Sequence, residues 1–280
     1  MWNYALVILR GIGQVMFQNN ALSGLLILAG ISYNSCLLGL AVILGTLIST
    51  ATAQLLRYPA GEIKDGIYGF NGALVGVAIW FFFGFSIVTT IALIAGAVFS
   101  SILMYGMKKL VPPFTAPFVF ITWLLILFLL FVLKLPLVAP SLLEDYSLDL
   151  FTALAKGFSQ VWFQDNAVTG IFFLVALAVN SRTSALYALY GSALGSLIAI
   201  LLAEPVSMIN TGLFGYNAIL CGIALGDRKL SSFLWATLAI ALSVILNIGI
   251  GSLGFITLTS AFVFATWLVI SLQRLSPKVE

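Results

Sequence analysis

The chain of 280 residues carries three sequence blocks twice, in the same order and about 146 residues apart. The paired blocks are RGIGQVMFQNN and KGFSQVWFQDN, GIYGFNGALVG and GLFGYNAILCG, and FTAPFVFITW and LTSAFVFATW. Matched blocks in one order predict two copies of one fold, which we place at residues 1–140 and 141–280. Internal repeats of membrane proteins usually meet around a shared substrate site near the bilayer midplane. The repeat therefore predicts a functional site between the two halves.

Composition puts the chain in a membrane and excludes several functions. Apolar residues make up 62% of it and charged residues only 8%, whereas soluble domains carry roughly a quarter charged residues. The mean hydropathy is +1.16. The net charge of +3 is small and scattered, so nucleic acid is not an expected partner. The absence of histidine and of any CxxC pair argues against a metal site, and we expect no cofactor.

The lengths of the apolar stretches predict an all-α polytopic membrane protein with broken helices. Each half contains six such stretches, and several are shorter than the ~20 residues that a membrane-spanning helix needs. Broken helices are tolerated only where protein or a water-filled cavity satisfies the freed backbone groups. We therefore expect each half to hold about five transmembrane helices and one re-entrant half-helix. An odd number of spans makes the two homologous repeats inverted with respect to each other.

A glutamine followed three residues later by phenylalanine recurs in the first block, as Gln14 with Phe17 and as Gln160 with Phe163. This spacing predicts that amide and ring share one helical face. An unpartnered amide in hydrocarbon costs about 4–8 kcal/mol, so each must meet protein, water or a ligand. Polar contacts between helices are a common alternative in membrane bundles. Because the amide recurs together with its ring, we favour the lining of a pore.

The second block surrounds Asn71 and Asn217 with glycines, which permit close backbone approach or left-handed turns. Repetition of these glycines beside an asparagine predicts a broken helix whose backbone amides face a cavity. Each asparagine is flanked by an aromatic residue and a leucine four residues apart. These are Phe70 with Leu74, and Tyr216 with Leu220.

The third block supplies Thr115 and Thr259 just before its aromatic run. Each hydroxyl is expected either to cap a helix or to line the pore, and one residue can do both. Carboxylates and histidine do not recur in the blocks, although ionisable groups normally mark cation pathways and proton relays. The recurring amides, hydroxyls and rings therefore favour a neutral, planar substrate that donates and accepts hydrogen bonds. No nucleophile–base pair is present in the blocks, so catalysis is not expected.

Together, RGIGQVMFQNNALSG, GIYGFNGALVG, TAPF, KGFSQVWFQDNAVTG and GLFGYNAIL resemble the urea transporter family. The resemblance extends from about Arg10 to Trp267. It implies two inverted repeats of five spanning helices plus a re-entrant helix each, and a pore through every protomer. It also implies a homotrimer in contact with membrane lipid that conducts urea passively, in the cytoplasmic membrane of a bacterium.

The resemblance also implies a role for each recurring residue. It maps a polar strip onto Gln14 and Gln160, with Thr115 and Thr259 opposite. It maps an aromatic slot onto Phe17, Phe163, Phe70, Leu74, Tyr216 and Leu220, with Val161 near the second amide. Leu213 stands where a third slot aromatic is expected, and whether neighbouring Phe214 replaces it stays open. The alternative functions are a gradient-coupled transporter for a small neutral amide or ammonium, and a membrane scaffold without transport.

Overall fold

Helices form the regular structure in a computed structural model that describes residues 3–138 and 147–275. The predicted boundary at residues 140–141 lies outside the described residues. Seven α-helices precede that gap: α1 Tyr4–Gln14, α2 Ala21–Asn34, α3 Cys36–Leu55, α4 Ala60–Lys64, α5 Gly69–Phe83, α6 Ile87–Met107 and α7 Ala116–Leu127. Seven follow it: α8 Leu150–Ser159, α9 Ala167–Asn180, α10 Arg182–Leu201, α11 Val206–Asn210, α12 Tyr216–Leu225, α13 Leu230–Ser252 and α14 Ser260–Leu275. A short π-helix, Phe128–Val132, extends α7, and a 3₁₀ turn, Gln160–Trp162, follows α8.

Equivalent polar residues begin equivalent helices in the two halves. The side chain of Asn20 accepts backbone hydrogen bonds at the start of α2, and that of Asn166 does so at the start of α9. Ser35 and Ser181 cap α3 and α10 in the same way. Such caps satisfy amides that the first helical turn leaves without a partner. The repeated sequence therefore specifies repeated helix starts.

Uncommon backbone conformations also recur at equivalent positions of the two halves. Eight of the eleven described residues with positive φ form matched pairs: Phe17 with Phe163, Arg57 with Ala203, Gly66 with Gly212, and Phe114 with Leu258. At Gly66 and Gly212 φ is +76°, and an added Cβ would lie 2.3 Å from the backbone nitrogen of Gly11 or Gly157. A side chain is excluded there by the left-handed conformation and by the close approach of α1 or α8. These glycines are thus required at the same point of both copies.

Hydrogen bonds between α2 and α9 are reciprocal. The Ser23 hydroxyl donates to the carbonyl of Ala176 (2.7 Å), and the equivalent Thr169 donates to the carbonyl of Gly30 (2.9 Å). Helix ends repeat the pattern, since Asn34 donates to Gln164 and Asn180 donates to Gln18, each at 2.8 Å. Reciprocal contacts are the signature of a two-fold relation between two like units. The halves therefore meet through equivalent surfaces.

A second reciprocal pair joins α7 and α14 to the opposite half. The indole of Trp123 donates to the carbonyl of Ile256 (2.8 Å), and that of Trp267 donates to the carbonyl of Pro112 (2.7 Å). Both carbonyls lie in the loop that precedes the third block. Each tryptophan thus holds in place the loop that precedes the threonine of the other half.

Helix length alone supports fewer spans than the sequence predicts. In the described part, α3, α6, α10 and α13 are long and apolar enough to cross a membrane, and α8 with α9, bent by 75°, makes a fifth candidate. The expectation of five spans and a re-entrant helix in each half is not established by these lengths. In the short α5 every residue from Gly69 to Trp80 is buried. Surrounding protein thus covers a helix too short to span.

Candidate functional site

The first cavity has a volume of about 160 Å³ and lies within the first half. It is lined by Gln14, Val15, Phe17, Ile67, Phe70, Met104, Phe114 and Thr115. Four of the residues that the sequence nominates are among them: Gln14, Phe17, Phe70 and Thr115. Side chains from all three repeated blocks therefore meet at one small cavity.

The two glutamine amides are held in the same way. The Nε2 of Gln14 donates to the carbonyl of Asp65, and the Nε2 of Gln160 donates to the carbonyl of Thr211, both at 2.9 Å. Among the described residues, no donor bonds to the Oε1 of Gln14 or of Gln160. Each side chain is partly buried. Anchoring the amide nitrogen leaves the amide oxygen as the group available to a ligand.

The predicted common helical face for amide and ring is wrong in both halves. Helix α1 ends at Gln14, and Phe17 lies beyond it with φ of +61°. Gln160 begins a 3₁₀ turn, and Phe163 follows with φ of +58°. A left-handed residue reverses the chain direction instead of continuing the helix. Phe17 nevertheless reaches the cavity that Gln14 lines, by way of this turn.

Thr115 and Thr259 meet directly at the junction of the halves. Their hydroxyl oxygens are 2.6 Å apart, and each residue is only 2% exposed. Thr115 stands at the N-cap position of α7, but its side chain makes no capping hydrogen bond. In a mutual hydroxyl pair one proton bridges the two oxygens and the other remains available. The pair therefore offers both a donor and acceptors to a third group.

Asn71 and Asn217 hold the threonine segments in place. The Oδ1 of Asn71 accepts from the amide of Phe118 (3.0 Å), and its Nδ2 contacts the carbonyl of Phe114 (3.4 Å). The Oδ1 of Asn217 accepts from the amide of Phe262 (3.1 Å), and its Nδ2 contacts the carbonyl of Leu258 (3.4 Å). The sequence nominates these asparagines only as neighbours of a broken helix. Their recurrence was the signal, and their partners are more than 40 residues away.

Aromatic rings also make reciprocal contacts between the two halves. The centroid of Phe17 lies 6.1 Å from that of Phe262, and the centroid of Phe163 lies 6.3 Å from that of the equivalent Phe118. Both pairs are edge-to-face, the geometry that aromatic quadrupoles prefer. The ring of Phe163 also packs against Phe81 and Phe82. Each half thus inserts one left-handed phenylalanine against a ring of the other half.

The second cavity is larger, about 590 Å³, and lies within the second half. Its lining comprises Glu204, Met208, Leu213, Phe214, Tyr216, Asn247, Ile248, Gly251, Ser252, Phe255, Ile256 and Thr257. Leu213, Tyr216 and Asn247 are equivalent to Ile67, Phe70 and Met104 of the first cavity. The two cavities therefore occupy related positions in the two repeats.

Tyr216 makes the second cavity chemically different from the first. Its hydroxyl donates to the carbonyl of Leu258 (2.6 Å) and lies 3.0 Å from the hydroxyl of Thr257. The equivalent Phe70 has no hydroxyl, so the corresponding carbonyl of Phe114 lacks this bond. The Asn247 amide that replaces Met104 donates to the carbonyl of Leu213 (3.0 Å). The polar side chains that line the second cavity thus hydrogen-bond to one another and to nearby backbone carbonyls.

Six nominated residues lie outside the lining of both cavities: Leu74, Gln160, Val161, Phe163, Leu220 and Thr259. Leu74 and Leu220 are fully buried, and Val161 is 1% exposed. Phe163 and Thr259 adjoin the junction of the halves through the contacts given above, and Gln160 bonds within the second half to the carbonyl of Thr211. Leu213 and Phe214 both line the second cavity. In the described segments no group of three or more histidine, cysteine, aspartate or glutamate residues could hold a metal ion.

The family follows from comparison with known proteins. A family model described as "UT: Urea transporter" matches residues 5–274. The chain belongs to the urea transporter family. Urea transporter 1 of the rat is 33% identical over 260 residues, and its counterparts in the mouse and the sheep are each 32% identical. These matches cover 84% of this chain and 66% of each relative, so the chain spans just under two thirds of their length.

The match confirms the resemblance found in the repeated blocks. Members of the urea transporter family are integral membrane proteins that transport, and they are not enzymes. The apolar helices of the described residues agree with that setting. The rat, mouse and sheep relatives are mammalian, and a bacterial membrane stays a prediction.

Proposed function

We propose that the chain is a passive channel for urea, with a pore in each protomer at the interface between the repeats. The observation that carries this proposal is the repeated anchoring of Gln14 and Gln160 through their amide nitrogens. Urea has four N–H donors and one carbonyl acceptor, so a pathway for it needs fixed oxygens. The two Oε1 atoms, one per half, supply such acceptors beside the aromatic rings.

The threonine pair acts on the opposite edge of the substrate. One hydroxyl proton of the Thr115–Thr259 pair is free to donate to the urea carbonyl, while the hydroxyl oxygens accept from its N–H groups. Because the pair joins the two halves, both repeats contribute to one central site. Successive weak sites offset the loss of water without trapping the molecule, as conduction requires.

Aromatic rings select for shape, and the neutral lining selects against ions. Phe17 and Phe163 present apolar faces or edges to a planar molecule whose hydrogen-bonding groups lie along its rim. A bulkier amide must displace these packed rings. An ion must give up hydration to a lining that offers no full charge at the glutamine and threonine positions, which is costly.

The repeats are proposed to be inverted, with the pseudo-two-fold axis between Thr115 and Thr259. The reciprocal Ser23–Ala176 and Thr169–Gly30 bonds support a two-fold relation, and an odd number of spans per half would invert it. The family resemblance supports a homotrimer surrounded by lipid. It also supports a place in the cytoplasmic membrane of a bacterium.

A gradient-coupled transporter for a small neutral amide or ammonium is the main alternative. Coupling to sodium or protons normally uses ionisable or closely spaced oxygen groups near the substrate. The central groups are amides, hydroxyls and rings in both halves, so the passive channel is favoured.

The test removes both amides and measures urea flux from proteoliposomes by stopped-flow light scattering. Replacing Gln14→Ala and Gln160→Ala together should lower urea permeability by at least about tenfold, since each lost acceptor is worth about 1 kcal/mol or more. Either single change should cost less than the pair.

The matched control is Gln54→Ala, which removes an exposed glutamine at the end of α3. It should leave the flux at the wild-type value. Wild-type flux from the folded double variant would refute the role of the two amides and, with it, the proposed pathway.

A further inference from the structure

An aromatic–ionic cluster fills the outer part of the first half. It consists of Tyr58, Glu62, Tyr68, Tyr105, Lys108 and Lys109. The ammonium of Lys108 lies 2.6 Å from the Glu62 carboxylate, which also accepts from the hydroxyl of Tyr68 at 2.5 Å. The rings of Tyr58 and Tyr105 stack with centroids 4.1 Å apart. The ammonium of Lys109 lies 4.3 Å from the centroid of Tyr105.

The repeat assigns an equivalent to each member of this cluster. Around the short helices α4 and α11 the offset is 146 residues, as the matched prolines Pro59 and Pro205 show. In α6 and α13 the offset is 143, because Ser100 and Ser243 make the same bond to the carbonyl three residues earlier. The equivalents are Glu204, Met208, Phe214, Ile248, Gly251 and Ser252.

All six equivalents line the second cavity. The space that side chains fill in the first half is therefore open in the second. Lys108 is replaced by Gly251, and Tyr105 is replaced by Ile248. A Cβ added at Gly251 would meet only the methyl of Thr257 at 4.0 Å, so this position faces free space.

The second cavity has a carboxylate at a different position and lacks the lysine that pairs with it in the first half. The carboxylate now belongs to Glu204, at the position of Tyr58, and Phe214 keeps the ring of Tyr68. Glu204 is partly buried, and its carboxylate has no ion pair or hydrogen-bond donor among the described residues. Phe255 adds a second ring to the lining. A carboxylate without a cationic partner, in a cavity that aromatic rings also line, attracts an organic cation.

We infer that the second cavity is a binding site for an arylalkyl ammonium cation. The ammonium pairs with Glu204 as Lys108 pairs with Glu62, and the aryl group occupies the volume that tyrosine rings fill in the first half. The wall formed by Tyr216, Asn247 and Thr257 limits the depth to which the cation enters. The inference concerns binding alone and does not depend on the proposed transport of urea.

Binding of 2-phenylethylammonium to the purified full chain in dodecyl maltoside, measured by isothermal titration calorimetry, tests the site. Micelles without protein provide the blank, and neutral 2-phenylethanol provides the uncharged comparison. We expect saturable binding of the cation and at least about tenfold weaker binding of the alcohol. Glu204→Gln should weaken binding of the cation by a similar factor.

Two further variants separate loss of the site from loss of folding. Gly251→Lys with Ile248→Tyr introduces the lysine and tyrosine that stand at these positions in the first half, and it should abolish binding of the cation. Asp227→Asn removes an exposed carboxylate elsewhere and should leave binding unchanged. Each variant must match the wild type in thermal unfolding and gel filtration before it is titrated. No saturable binding to the wild type up to about 10 mM, at the weak end of the affinity scale, would overturn the inference. Equal binding by wild type and Glu204→Gln would overturn it as well.

Discussion

The centre and the two ends of the molecule differ in how closely the halves match. At the centre, Gln14 and Gln160 make the same bond at the same distance, and Thr115 touches its own equivalent. Toward the outside, one half is filled by an aromatic–ionic cluster and the other is open. The same fold therefore tolerates divergence at its ends and repeats its hydrogen-bonding chemistry at its middle. This contrast supports the assignment of substrate contacts to the centre.

The asparagine substitutions should give the largest change in stability. Asn71→Leu and Asn217→Leu each remove the acceptor of a buried helix-start amide, at Phe118 or Phe262. Each should lower the free energy of unfolding by about 1–3 kcal/mol, because a buried donor is left unsatisfied. Unfolding in a denaturing detergent, followed by circular dichroism, measures the change. A loss of stability in only one of the two variants would contradict the equivalence of the two asparagines.

The paired hydroxyls should matter for flux more than for folding. Thr115→Val with Thr259→Val keeps the volume and removes both oxygens. Urea permeability of proteoliposomes should fall by about tenfold, the effect of about 1.4 kcal/mol from lost hydrogen bonding. Thr122→Val is the control, since Thr122 is buried in α7 outside the pair. Equal permeability in the double variant and the control would remove the threonine pair from the pathway.

The smallest expected effect concerns size selectivity at the two cavities. Phe70→Ala and Tyr216→Ala should both raise the permeability of acetamide relative to urea. The increase should be larger for Phe70→Ala, because Phe70 bounds about 160 Å³ and Tyr216 bounds about 590 Å³. Stopped-flow measurements with both solutes give the ratio. An unchanged ratio in both variants would move the size filter away from these rings.

Much of the central site could be predicted because its residues recur in both halves of the sequence. Recurrence alone nominates Gln14, Phe17 and Thr115, and the structure brings these residues to one cavity. The geometry of Phe17 could not be predicted, since a left-handed phenylalanine has no sequence signature of the kind that glycine provides. The spacing of three therefore predicts a shared helical face that the structure does not have.

The sequence does not predict the long-range partners or the divergent regions, for a different reason. Nothing in the local sequence of Asn71 indicates that it bonds the amide of Phe118, 47 residues away. The exchange of Lys108 for Gly251 falls outside the repeated blocks, so recurrence could not point to it. Apolar length also does not give the number of spans, because α5 is covered by protein and need not reach across the bilayer.

The most direct test of the account is urea efflux from proteoliposomes of the wild-type protein, with and without sodium and pH gradients. Acetamide and glycerol serve as comparison solutes in the same stopped-flow experiment. The account predicts fast, urea-selective efflux whose rate is the same under every gradient. Efflux that requires a sodium or proton gradient would contradict the passive channel and establish a coupled transporter in its place.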